Sequence, residues 1–259
     1  MKVVQQYSFS ALGNFSYLLA TDENCWAVDP FDAQRVINWI NDNKLKLAGI
    51  INTHDHWDHT KGNEELINYY GPCQVIVHKN SLKDIPFANT GIQEGENLFL
   101  DSTSRLTFVE TPGHTENHIC FYLIINEQKV GFFSGDTLFN AGVGNCKNGG
   151  NVYQLFETVF QRIRNSEDHI IVYPGHDYIL NNLKFTLSVE PNNQVAKNLY
   201  TKLNQAQEEY CDYLTTIGEE KLINSFFRLQ SQEIRQMLNL EDMSDKEVFV
   251  KLRSLRDIW

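Results

Sequence analysis

The sequence predicts an α/β body followed by an all-helical tail, on three observations. Short β-branched or aromatic runs recur through the first 190 or so of the 259 residues, as strands do. Apolar residues at helical spacing lie between those runs. Past Pro191 the strand signals stop and only helical patterns follow.

In chain order, residues 3–7, 17–20 and 26–28 read as strands, and Val36, Ile37 and Ile40 mark a short amphipathic helix. Residues 47–51 read as a buried strand, followed by a helix containing Glu64, Glu65, Leu66 and Ile67. Strands at 75–77, 106–109, 119–125, 130–133 and 170–173 complete the body, with Asn126-Glu127-Gln128 as a polar hairpin loop. Val152, Leu155, Phe156, Val159 and Ile163 share one helical face. The tail reads as helices at 194–211, 219–227, 231–238 and 245–255. The expected division is a catalytic body over 1–190 and a helical substrate-binding part over 191–259.

Composition narrows the function. The chain is 42% hydrophobic and 21% charged, which excludes a disordered or low-complexity protein. Its 22 basic and 33 acidic residues leave a charge of −11. That argues against a nucleic-acid partner, since phosphate backbones attract positive fields. An anionic substrate would need local positive charge. The longest clean apolar run, 119–125, falls far short of the roughly 20 residues of a bilayer span, so no membrane partner is expected. Gln5 and Gln6 interrupt any signal-peptide core. Cys25, Cys73, Cys120, Cys146 and Cys211 are odd in number and form no Cys-x-x-Cys pair. They read as reduced thiols in a cytoplasmic protein. Nothing suggests more than a monomer.

The chemistry gathers around Thr53-His54-Asp55-His56-Trp57-Asp58-His59. In an extended segment, side chains two apart point the same way, so His54 and His56 can grip one ion; Asp58 and His59, displaced along the turn, can grip a second. His114, Asp136 and His176 each follow a predicted strand through a glycine, at Gly113, Gly135 and Gly175. His78, His118 and His169 read as surface or capping residues. Five imidazoles and two carboxylates without a thiolate favour zinc, with iron or manganese also suitable. Seven donors are too many for one tetrahedral ion, and two ions sharing a carboxylate use them economically. Such a pair sits ~3.5–4 Å apart and supplies an ionised water at neutral pH without a serine or cysteine nucleophile.

These residues, with Thr111-Pro112-Gly113-His114-Thr115, Ser134-Gly135-Asp136-Thr137 and Pro174-Gly175-His176-Asp177-Tyr178, resemble the metallo-β-lactamase fold superfamily. The similarity is closest to its hydroxyacylglutathione hydrolases, the glyoxalase II family, and continues through Asn181-Asn182-Leu183 and Leu252-Arg253-Ser254-Leu255-Arg256. The resemblance implies a four-layer αββα sandwich with a C-terminal helical subdomain. It implies one metal held by His54, His56 and His114, another by Asp58, His59 and His176, and Asp136 bridging. It also implies hydrolysis of S-D-lactoylglutathione to glutathione and D-lactate by a bridging hydroxide, the second step of methylglyoxal detoxification, with Asp58 and Asp136 as catalytic residues.

Tyr178, Asn182 and Arg253 match family residues that contact glutathione, and Arg256 stands where many members carry lysine. Arg253 and Arg256, three apart on a predicted helix, share a face and offer positive charge to an anionic thioester. One stretch departs from the family pattern: Asn145 replaces a basic residue and Lys147 an aromatic one, so Lys147 is expected to reach the same carboxylate from two positions along. The rival reading is a glutathione persulfide dioxygenase with a single iron, which resembles the body and lacks the helical tail.

Overall fold

The computed structural model describes residues 1–206 and 212–259. The chain forms two compact units that interleave in sequence. The first takes Met1–Thr111, Asn117–Gly135 and Pro174–His176; the second takes Pro112–Glu116, Asp136–Tyr173 and Asp177–Trp259.

The first unit opens with β1 (Lys2–Tyr7), β2 (Phe15–Ala20) and β3 (Asn24–Val28), paired antiparallel. Helix α1 (Ala33–Asp42) then crosses to β4 (Lys46–Ile51), and α2 (Trp57–Thr60) and α3 (Asn63–Tyr70) lead to β5 (Gln74–His78). With β6 (Thr90–Ile92), strands β3 to β6 run parallel. Parallel strands covered on both faces read as unbroken apolar runs. Here Ile50, Ile51, Val75, Ile76 and Val77 are all buried. Asp32 caps α1 by accepting from the Arg35 amide at 3.2 Å. The α1 face Val36, Ile37 and Ile40 joins Leu18, Ala27, Ile50 and Val75 in one core.

A second sheet pairs β7 (Asn97–Phe99), β8 (Ser104–Glu110), β9 (Ile119–Ile125) and β10 (Gln128–Gly135) antiparallel. The sheets meet through aromatic rings: Tyr17 of β2 stands edge-on to Phe133 of β10, centroids 5.3 Å apart. Helices, sheet and sheet thus follow in the order the resemblance implied. The β9–β10 loop is shorter than predicted. Gln128 already pairs with Ile125, leaving Asn126 and Glu127, both left-handed with φ of 49° and 63°. Such a two-residue turn matches the strand twist. The sequence reading missed β6 and β7, three-residue strands at the two sheet edges; too short to alternate, they carry no period.

The second unit holds β11 (Leu138–Phe139), β12 (Gly142–Val143), α4 (Val152–Phe156) and β13 (Ile171–Pro174), on which the chain leaves it. The predicted apolar face beginning at Val152 does form, but α4 passes into a π-helical stretch, Glu157–Arg162, and a 3-10 turn. Helices α5 (Ile179–Val189), α6 (Gln194–Ala206), α7 (Ile217–Ile223), α8 (Gln232–Leu238) and α9 (Asp245–Arg256) follow. Helix α5 was not foreseen. Of the predicted helix at 194–211, residues 207–211, Cys211 among them, lie outside the described residues. Helix α7 starts earlier than expected because Thr216 and Glu219 close a capping box, as Ser244 and Glu247 do for α9. Ala141, Ile179, Leu183, Ala196 and Ile223 pack together as one core.

Candidate functional site

In the first unit the predicted ligands fall where strand gives way to turn. The loop after β4 is tied on both sides: the Thr53 amide donates to Asp29 Oδ1 at 2.8 Å and Asn52 Nδ2 to the His59 carbonyl at 2.7 Å. This brings the rings of buried His54 and half-buried His56 to a centroid distance of 4.6 Å. Asp58 and His59 sit on the single turn of α2. His176 follows Gly175, whose carbonyl accepts from the Phe15 amide at 2.8 Å.

His59 Nε2 and His176 Nε2 face each other at 3.2 Å, with Asp58 Oδ2 at 3.7 Å from the first and 3.5 Å from the second. The outer nitrogens settle what these atoms are. His176 Nδ1 donates to the Leu12 carbonyl at 2.9 Å, and His59 Nδ1 to Asp29 Oδ2 at 2.9 Å. Each Nδ1 therefore carries a proton, and in the neutral imidazole each Nε2 presents the lone pair. Three buried Lewis bases converge, an arrangement that a divalent cation resolves. His54 obeys the same rule. The Thr53 hydroxyl donates to Asp29 Oδ2 at 2.6 Å, so it accepts from His54 Nδ1 at 3.0 Å and leaves His54 Nε2 as the lone-pair atom.

The sequence reading missed three residues here. Asp29 is 3% exposed, and one carboxylate orients His59, the Thr53 hydroxyl and the Thr53 amide. Its φ of 45° is rare for a residue with a side chain. Asn14, 1% exposed, donates from Nδ2 to Asp58 Oδ2 at 2.9 Å. His118 was expected at the surface; it is buried and stacks on His54, centroids 4.8 Å apart. The nearest signals were the end of β3 for Asp29 and the Gly13-Asn14 turn for Asn14. His78 does cap a turn, accepting from the Asn80 amide. His169 is exposed, as expected.

In the second unit His114 Nδ1 donates to the Asn145 carbonyl at 2.7 Å, so its Nε2 lone pair faces Asp136 Oδ2 at 3.5 Å. Gly144 makes this possible. A Cβ there would lie 1.9 Å from the Asp136 carbonyl oxygen and 2.9 Å from His114 Nδ1. Burial pushes the Cys146 thiol up to about 11 and Cys25 to about 12. Both stay protonated near neutrality, as structural thiols do.

The same unit contains a cleft of about 240 Å³ lined by Lys147, Tyr178, Asn182, Arg253 and Arg256, with Phe139 and Val143. All five predicted substrate contacts are there. Arg256 Nη2 donates to Asn182 Oδ1 at 3.4 Å, and its guanidinium lies over Phe185 and Trp259. Arg253 is more deeply set, 5% exposed. Its Nη1 donates to the Val143 and Gly144 carbonyls at 2.9 and 3.1 Å, and Nη2 pairs with Asp257 at 3.0 Å. Lys147 Nζ donates to the Asp257 carbonyl at 3.1 Å.

Two family models divide the chain between them. The metallo-β-lactamase superfamily model matches residues 11–176, and the model for the hydroxyacylglutathione hydrolase C-terminus matches 177–259. The fold is the metallo-β-lactamase fold, and the chain belongs to that superfamily and, within it, to the hydroxyacylglutathione hydrolase family. A hydroxyacylglutathione hydrolase of a Polaromonas species is 38% identical, and one of Nitrosococcus oceani 36%, each with both chains covered in full. Among solved structures, ETHE1 from Myxococcus xanthus superposes with a TM-score of 0.67 at 20% identity, covering 99% of this chain and 98% of that one.

Proposed function

We propose that the chain hydrolyses the thioester of S-(2-hydroxyacyl)glutathione, S-D-lactoylglutathione foremost, adding water to give glutathione and the 2-hydroxy acid. The observation that carries the reading is the convergence of His59 Nε2, His176 Nε2 and Asp58 Oδ2, each held by its own outer partner. The choice of thioester rests on family membership and on the cationic cleft. The match of 177–259 to the hydroxyacylglutathione hydrolase C-terminus, with relatives at 36–38% identity over the full chain, favours hydrolysis over the dioxygenase reading.

Two divalent ions, zinc foremost, fit the donor set: one held by His54, His56 and His114, one by Asp58, His59 and His176, with Asp136 shared. When bound, they would supply a nucleophilic water at neutral pH and positive charge opposite the developing oxyanion. The protein keeps its histidines in one tautomer, through Asp29, Thr53, Leu12 and Asn145. Asn14 fixes the Asp58 oxygen that faces both imidazoles. A thiol with a pKa near ~8.5 leaves without a dedicated general acid.

Lys147 and Arg256 would attract the carboxylates of glutathione, with Tyr178 and Asn182 lining its path. Arg253 adds charge from below and holds the cleft wall through Val143 and Gly144. In this reading residues 1–190 carry the chemistry and 191–259 most of the cleft's positive charge. Among the described residues no helix is long and apolar enough to cross a membrane; a cytoplasmic monomer acting on a small molecule is the state we infer. Thiol release from S-D-lactoylglutathione, followed before and after chelation, tests the proposal. Turnover that vanishes on chelation and returns with zinc is expected; no turnover by the zinc-loaded protein would overturn it.

A further inference from the structure

Strands β11 and β12 form a hairpin whose two-residue turn is Asn140–Ala141. Ala141 is 1% exposed with φ of 60°, the left-handed region that a residue with a Cβ seldom enters. Something must hold it there. Glu220 of α7, fully buried, receives the Ala141 amide on both carboxylate oxygens, at 2.9 and 3.1 Å. It also accepts from Thr215 Oγ1 and Asn224 Nδ2, each at 2.6 Å.

Those partners extend the hold along the hairpin. Asn140 Nδ2 donates to Thr215 Oγ1 at 2.6 Å, and Asn224 Nδ2 also reaches the Gly142 carbonyl at 3.2 Å. The Asn140 carbonyl in turn accepts from Asn182 Nδ2 at 3.0 Å, and Asn182 Oδ1 receives Arg256. Phe139, Val143, Asn182 and Arg256 line the cleft; Glu220 does not.

We propose that Glu220 is a positioning residue for the thiol-carrier cleft: it holds the left-handed Ala141 turn, and through Asn140 it sets the Asn182–Arg256 pair. The inference rests on the reading of that cleft as the glutathione site. Removing an acceptor that serves three donors lets the turn relax toward ordinary dihedrals, which moves the Asn140 carbonyl away from Asn182.

The test is calorimetric titration of the metal-loaded protein with glutathione, beside steady-state kinetics on S-D-lactoylglutathione. Glu220→Gln keeps the volume but places an amide donor against the Asn224 or Ala141 donors. We expect Kd and KM to rise together by about tenfold, kcat to stay within about threefold, and bound metal per chain to be unchanged. Ala141→Gly added to Glu220→Gln should recover part of the lost affinity, because glycine takes this φ without strain. A group that only stabilised the fold would lower the melting temperature and leave the Kd of the folded protein alone. Folded Glu220→Gln protein binding glutathione as wild type does would overturn the inference. Should that variant fail to fold, Thr215→Val removes one donor to Glu220, and an unchanged Kd there overturns it equally. If wild type itself fails to bind glutathione, the cleft reading falls and the inference with it.

Discussion

Residue by residue, the site is a set of lone pairs aimed by a second set of groups. Asp29 illustrates the dependence, since its carboxylate orients both His59 and Thr53, and Thr53 orients His54. Asp29→Ala should weaken metal binding by about 10–100-fold, measured by competition with a chromogenic chelator. Arg256→Ala should raise KM for the glutathione thioester by about tenfold and leave kcat nearly unchanged; a defect in kcat alone would contradict a binding role. The seven candidate donors were legible in the sequence because each follows a strand, three of them through a glycine, a local signal. Asn14 and Asp29 were not. Their meaning lies in contacts 44 and 30 residues away, to Asp58 and His59, that no periodicity encodes. His118 was misread for a similar reason: its place on His54 depends on how a later strand returns to the loop after β4.

Elements succeeded or failed by length and period. Strand β9 was read at its observed bounds because seven apolar residues run unbroken. Helix α5 escaped because its buried positions, among them Asn182 and Thr186, are not all apolar. Helix α7 carries a pH signature. Burial pushes the Glu220 carboxyl up to about 7, against hydrogen bonds from Thr215, Ala141 and Asn224, and the charge of Glu219 raises it further. An unfolded Glu titrates near ~4.3. Between the two values the folded chain holds more protons than the unfolded one, so this group's contribution to stability falls as pH rises through that window. Melting temperatures compared at about pH 5 and about pH 8 should show the fall, and Glu220→Gln should flatten it. A slope that survives the substitution would assign it elsewhere.

For the whole molecule, metal binding and folding are linked, because the donors are brought together only by the fold. Metal at a thousandfold excess over its Kd adds about 4 kcal/mol to apparent stability. Chelation should therefore lower the melting temperature by roughly 10 °C in a chain of this size, and readdition of zinc should restore it. An unchanged melting curve would mean that the ligands do not hold the ion tightly. The body-and-tail pattern was legible from where strand signals end. The interleaving was not: His114 and Asp136 belong to one unit while the candidate donors flanking them in sequence belong to the other, and excursions of this kind leave no compositional mark.

Gly144 has a consequence for anyone redesigning the enzyme. Its backbone lies against the Asp136 carbonyl and the His114 ring, while its carbonyl and that of Val143 receive Arg253 from the cleft side. Loop grafts that retune which thiol is accepted should spare residues 136–145, whose last carbonyl holds the His114 ring, and Gly150 and Asn151, which pack on the Gly113 and His114 backbone, and vary 146–149 instead. In a saturation library, position 144 should return glycine alone among active clones.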